Sequence, residues 1–154
     1  MLSEEDIERL NELSRHTMMD HLGIRLLPSD DACSIKAEMS VDHRTCQPYG
    51  YLNGGASLAL AENLAGLGSC HLCQEGEIPL GIQVSANHVS AVPVGYTVVA
   101  EATLLHRGSS THVWNIDIRR TSGMLVSSVR VVNAIRKRPV RKTSSEEENK
   151  ELKR

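Results

Sequence analysis

The chain has 154 residues, with 17 Lys or Arg against 19 Asp or Glu and a formal net charge of -2. It is 40% hydrophobic but only 3% aromatic, with no Phe, so its core and any pocket must be built from Leu, Ile, Val, Ala and Met. That length suits one domain with a sizeable core, the charge balance argues against a general nucleic-acid binder, and no apolar run is long enough to span a membrane.

The first six residues, Met1-Leu2-Ser3-Glu4-Glu5-Asp6, are acidic where a secretory leader is basic and then apolar, so a cytoplasmic protein is expected. Ser3 to Asp6 also reads as a capped helix start, and Ile7, Leu10, Leu13 and Thr17 form one narrow apolar stripe after it. This is an amphipathic helix lying on something. Gly23 to Pro28 is short and extended, and Ser29-Asp30-Asp31 turns the chain. Cys33, Ile35, Ala37, Met39 and Val41 then alternate with polar residues, the pattern of a half-buried strand paired back on its predecessor. A loop follows and delivers Gln47, whose carboxamide can donate to a carbonyl or hold a water.

From Ala56 to Leu67 nearly every residue is apolar whichever face is counted, which predicts a helix buried on all sides. Glu62 and Asn63 are the exceptions. Leu58, Ala59, Ala65 and Gly66 flank Glu62 at helical spacing, so no cation of its own helix neutralises it. A carboxylate held among alkyl groups either shifts its pKa or has chemistry to do, the bland alternative being a carboxylate bonded to backbone. At the helix start, Asn53 supplies a capping side chain, and Gly54 and Gly55 leave the first N–H groups open to close approach. Such a terminus suits a phosphate or a developing oxyanion, or is a plain cap after a turn. Gly54 and Glu62 lie roughly 12 Å apart along the axis and project about 80° apart, so one carbonyl does not meet both on one helix. If both act on one bond, two copies of the helix lie antiparallel across a twofold axis.

Beyond the helix, Gln74 to Pro79 is turn-rich, and Ile82, Val84 and Ala86 alternate into Asn87-His88-Val89-Ser90. Tyr96 to Leu105 is apolar on both faces, as in a central strand. His106 to Thr111 reads as a polar loop, His112 to Arg119 resumes alternation, and Thr121-Ser122-Gly123 closes a hairpin into Met124 to Ile135. The sum is an α+β domain over residues 1–138, with about six antiparallel strands around one buried helix. Residues 139–154 are a polar tail too poor in apolar side chains to order itself. Of Cys33, Cys46, Cys70 and Cys73, only the last two form a Cys-x-x-Cys, with no second half-site; reduced thiols are expected, with no metal and no cofactor.

Gln47, Asn53-Gly54-Gly55-Ala56-Ser57, Leu60-Ala61-Glu62, Ala86-Asn87-His88-Val89, His106-Arg107-Gly108 and His112-Val113-Trp114 stand in the order and approximate spacing of a known family. Over residues 20–136 the chain resembles the hotdog-fold acyl-CoA thioesterases of the phenylacetate-degradation type. That branch includes 1,4-dihydroxy-2-naphthoyl-CoA hydrolases and the proofreading thioesterases of siderophore synthesis. The resemblance implies hydrolysis of an aromatic or bulky acyl-CoA, such as a dihydroxynaphthoyl or benzoyl thioester, to free acid and CoA. Glu62 would be nucleophile or general base, the Gly54 N–H of a facing subunit would polarise the carbonyl, and Gln47 would hold carbonyl or water. Leu58, Gly66 and Leu67 would line the acyl pocket. Gly81, the run His88-Val89-Ser90-Ala91 and the loop His106-Arg107-Gly108-Ser109-Ser110-Thr111 fall where the family contacts CoA. Homodimers or tetramers built as dimers of dimers are implied, and an acyl-carrier protein is an alternative donor of the acyl group.

Two departures stand out. Asn53 replaces the usual His before the glycine pair, and Ser90 and Ser109 stand where relatives often have Arg. Asn donates and caps but does not titrate, which points to slower or differently selective hydrolysis with a flatter pH profile. The competing reading is a hotdog protein that binds acyl-CoA or an acyl-carrier protein without turnover. A hotdog dehydratase would want a His just ahead of the helix, and none stands between Gly50 and Gly55.

Overall fold

The computed structural model describes residues 2–29 and 34–138, so the tail expected over 139–154 and the strand position of Cys33 lie outside the described residues. Helix α1 (Glu4–Leu13) opens on the expected cap, with the Asp6 N–H donating to Ser3 Oγ and the Ser3 N–H returning to the Asp6 carboxylate. Only part of the predicted stripe is used. Ile7 is buried and Leu10 packs on the core, but Leu13 is exposed and Thr17 caps a second, five-residue helix, α2 (Met18–Leu22). Gly23 ends α2 in the left-handed conformation at φ 68°, and the Arg44 guanidinium lies where a Cβ at Gly23 would stand.

The strands β1 (Arg25–Leu27), β2 (Ser34–Ser40), β3 (Glu77–His88), β4 (Thr97–Arg107), β5 (Thr111–Arg120) and β6 (Leu125–Lys137) form one sheet in the order β1-β2-β4-β5-β6-β3. Every neighbouring pair is antiparallel. β4 is central, as its two apolar faces imply, and β2 buries Ile35, Ala37 and Met39 on the expected alternation. The polar loop after β4 is shorter than the sequence suggests: the strand runs on through His106 and Arg107, leaving Gly108 to Ser110 as the turn. β3 likewise starts earlier, at Glu77, inside the stretch expected to be a connection.

Helix α3 (Gly54–Leu72) lies against one face of this sheet, touching β2 through β6. Ser57, Leu60, Ala61, Leu64, Ala65, Gly68 and Ser69 are buried along it. Gly68 brings the helix so close to the sheet that a Cβ there would meet Trp114 Cη2 at 2.7 Å and Ile35 Cδ1 at 2.9 Å. Trp114 is pinned in that position by its indole N–H, which donates to Ser69 Oγ at 2.8 Å. The expectation of a helix enclosed on every side does not hold for a single chain. Glu62 and Cys70 are exposed and Gly54, Leu58 and Gly66 half-buried, because the sheet covers only the opposite face.

Candidate active site

The loop ahead of α3 is fixed by its own backbone polar groups. The buried Thr45 donates its hydroxyl to the Ser40 carbonyl at 2.7 Å and accepts the Asp42 N–H, while its carbonyl takes the Asn53 N–H at 2.9 Å. Arg44 clamps Asp42 at 2.6 Å and holds that carboxyl at about 2, below its usual value. So anchored, the loop sets Gln47 beside the start of α3. The Asn53 carboxamide oxygen accepts the Gly55 N–H at 2.8 Å, the predicted cap, and the Gln47 oxygen accepts the Tyr49 N–H at 2.7 Å, leaving its NH2 to face a ligand.

A cleft of about 350 Å³ opens at this helix terminus and gathers Gln47, Gly54, His88, Val89, Ser90 and Ala91 from the predicted set, with Ser57 and Ser127 added. The His88 ring lies over the helix start: a Cβ on Gly54 would meet its Nε2 at 2.8 Å, and its Nδ1 is 2.8 Å from the buried Ser127 Oγ. The imidazole thus occupies the side of the terminus where Asn53 offers no titratable group.

Glu62 is elsewhere, in a second cleft of about 470 Å³. Gly66, Leu67 and Gly81 accompany it, with Met18, Met19, Asn63, Pro79 and Asn133 completing the walls. The carboxylate makes no ion pair or hydrogen bond among the described residues, and one oxygen lies only 2.7 Å from where a Cβ of Gly81 would stand. In the single chain Glu62 is exposed, not enclosed by alkyl groups as the helix sequence suggests, since its face of α3 has no cover. Gly81 therefore sits beside the candidate catalytic carboxylate, and Leu58 lines neither cleft but packs on the core.

A third group of predicted residues, Arg107, Gly108 and Ser109, lies at the far end of α3 with Glu77, Gln74 and the buried His112. Arg107 donates to the Leu72 carbonyl at the helix end, and His112 is 3% exposed with its Nδ1 lacking a partner. Burial, and then the Arg107 charge, push the His112 imidazole below its usual pKa. His106, Ser110 and Thr111 join none of the described clefts. Cys73 is half-buried, and burial raises its thiol pKa, which keeps it protonated rather than nucleophilic.

Met18, Met19, Asn133 and Ser127 are the site residues that sequence reasoning passes over. For Asn133 a signal existed: it is the one polar side chain in Val131-Val132-Asn133-Ala134-Ile135, at an inward position of the strand.

Residues 49–127, which carry the helix terminus and Glu62, match the model of the thioesterase superfamily. The chain belongs to that family. This thioesterase is 39% identical over 130 residues to the 1,4-dihydroxy-2-naphthoyl-CoA hydrolase of Escherichia coli K12, covering 84% of its own length and 93% of the relative's. It is 37% identical over 126 residues to the proofreading thioesterase EntH of Klebsiella pneumoniae, covering 82% and 90%. The crystal structure of a thioesterase from Haemophilus influenzae superposes with a TM-score of 0.84 at 35% identity, over 93% of this chain and all of the other. The fold is the hotdog arrangement, and the protein is a hydrolase of thioester bonds.

Proposed function

We propose that this thioesterase is a cytoplasmic enzyme that cleaves acyl-CoA with an aromatic or bulky acyl group, using Glu62 of one copy and the Gly54 N–H of a second copy on the same carbonyl. The carrying observation is the unpaired Glu62 carboxylate at the edge of a cleft walled by Met18, Gly66 and Leu67, which suits a hydrocarbon acyl group beside a reacting carbonyl. Its separation from the helix terminus, which opens into another cleft, is what a two-copy site requires. β3 is an edge strand with Leu80, Ile82 and Val84 exposed, at 49%, 60% and 37%, and such an edge is completed by pairing with another chain. A second copy laid antiparallel along β3 also covers the open face of α3. The dimer, or a tetramer of two such dimers, would then hold two sites.

In this arrangement the Gly54 N–H, backed by the helix dipole, meets the negative charge that develops on the thioester oxygen. Gln47 steadies the carbonyl through its free NH2. Glu62 attacks the carbonyl carbon or takes the proton of an attacking water, and CoA leaves as thiol. Similarity to a naphthoyl-CoA hydrolase supports a two-ring aryl group, and an acyl-carrier protein is the alternative carrier.

Thiol release from a panel of aryl-CoA, fatty acyl-CoA and acyl-carrier-protein thioesters tests this, with Glu62→Gln alongside. The expected result is fastest release from an aryl-CoA and a fall of about 10²–10⁴-fold in the variant. Binding of aryl-CoA with no release by the wild type would instead identify a non-catalytic acyl-CoA binder.

A further inference from the structure

We infer that Asn133 holds the hydrolytic water against Glu62, in the space that Gly81 leaves by having no side chain. This rests on the proposed role of Glu62 and selects between its two open forms: the carboxylate is a general base, and water attacks the thioester directly.

Three elements converge on that space. Glu62 comes from α3, Gly81 from β3 and Asn133 from β6, and Gly81 and Asn133 are direct cross-strand partners. The β3–β6 register shifts immediately after Gly81, and a bulge of this kind re-aims the strand beside a site. From the point where a Cβ of Gly81 would stand, Glu62 Oε1 is 2.7 Å away and Asn133 Oδ1 is 3.7 Å away. Both oxygens thus flank the same small space and line the same cleft, where one water can bond to both. A methyl group at position 81 would fill part of that gap.

The orientation of the amide is determined by its surroundings. Asn133 is 1% exposed, and its Nδ2 gives both protons away, one to the Ala65 carbonyl at 3.0 Å and one to Ser69 Oγ at 2.9 Å. Ser69 is itself fully buried and also receives the Trp114 indole N–H. Turning the amide over would set its oxygen against the Ala65 carbonyl, which can only accept, so Oδ1 is the atom directed to the Glu62 cleft, and no described residue donates to it. Among the described residues the one buried side-chain polar atom without a partner is His112 Nδ1, so Asn133 Oδ1 opens to the cleft, where a water can donate to it.

A water with one proton on Glu62 Oε1 and the other on Asn133 Oδ1 has both protons committed to acceptors, and its lone pairs face away from them. As its oxygen bonds to the thioester carbonyl carbon, the first proton passes to Glu62. The second stays on the new hydroxyl. Collapse of the tetrahedral intermediate breaks the C–S bond, and the departing thiolate takes the proton from Glu62, which restores the carboxylate and leaves acid and thiol. Asn133 exchanges no proton; it fixes the direction of attack.

The test needs no variant at its core. In single turnover in H₂¹⁸O, the label is expected in the released acid and not in the peptide that carries Glu62; label in that peptide, from attack of water on the glutamyl carbon of an acyl-glutamyl anhydride with release of the acid, would overturn the inference while leaving a thioesterase. Asn133→Leu is expected to lower kcat about 10–100-fold with KM within threefold. In the Glu62→Gln background the same change is expected to cost almost nothing, because both residues act on one water. A rise in KM at unchanged kcat, or losses that multiply in the double variant, would reduce Asn133 to a packing role and overturn the inference. Absence of turnover by the wild type would overturn both this and the proposed function.

Discussion

The contact of α3 with the sheet offers a sharp test of the fold, because the same substitution two residues apart on one helix should have opposite signs. At Gly68 a new methyl stands 2.7 and 2.8 Å from two Trp114 ring carbons and 2.9 Å from Ile35 Cδ1. The indole does not swing clear without giving up its bond to the buried Ser69 hydroxyl, a bond worth about 1 kcal/mol. Overpacking of this kind costs about 1–3 kcal/mol, and loss of the indole bond adds to it. The better helix propensity of Ala returns only about 1 kcal/mol. Gly68→Ala should therefore lose about 1–3 kcal/mol, and at about 2–4 °C per kcal/mol for a chain of this size its melting temperature should fall by several degrees. At Gly66 nothing among the described residues outside its own helix lies within 4 Å of the added methyl, so Gly66→Ala should be neutral or up to about 1 kcal/mol more stable. Urea and thermal unfolding at one fixed protein concentration read both changes. A Gly68→Ala protein as stable as wild type would refute the close helix–sheet approach.

Two further outcomes concern pH. Arg44 lowers the Asp42 carboxyl to about 2, so the pair contributes stability that is present above the unfolded carboxylate pKa near 3.9 and lost as pH falls through about 2. Arg44→Met should melt slightly below wild type at pH 5, with the gap closing by pH 2; the gap is small because the pair is partly exposed. The buried His112 has a lowered folded pKa, so its contribution is complete above pH 6.5 and lost as pH falls through that lower value. His112→Gln should flatten the decline in melting temperature between pH 7 and 5, and an unchanged decline would place the proton uptake at another group.

The helical period predicts that Gly54 and Glu62 point apart on one helix, and they line different clefts. What local pattern did not carry was pairing between distant segments. Ile82 and Val84 alternate like the residues of a half-buried strand, yet they are exposed, because β3 lies at the sheet edge, a position set by where β6 pairs. The sequence marks Asn133 as a polar residue at an inward strand position, but only the β3–β6 register brings it opposite Gly81. The five-residue α2 is too short to show a period of its own, so nothing in the sequence marks Met18 and Met19, which wall the Glu62 cleft.

The place of β3 also sets an order on the birth of the molecule. Its strand partner among the described residues, β6, follows β4 and β5 in the chain, so residues 77–88 wait through the synthesis of both before that ladder can receive them. Throughout that interval the nascent chain carries an unpaired segment bearing Leu80, Ile82 and Val84, while α3 lacks part of its floor. Pairing over so long a loop is slow, and the waiting strand is the natural target of a chaperone or of a wrong partner. Interruption of synthesis before Leu125 therefore leaves a sticky fragment rather than a smaller domain.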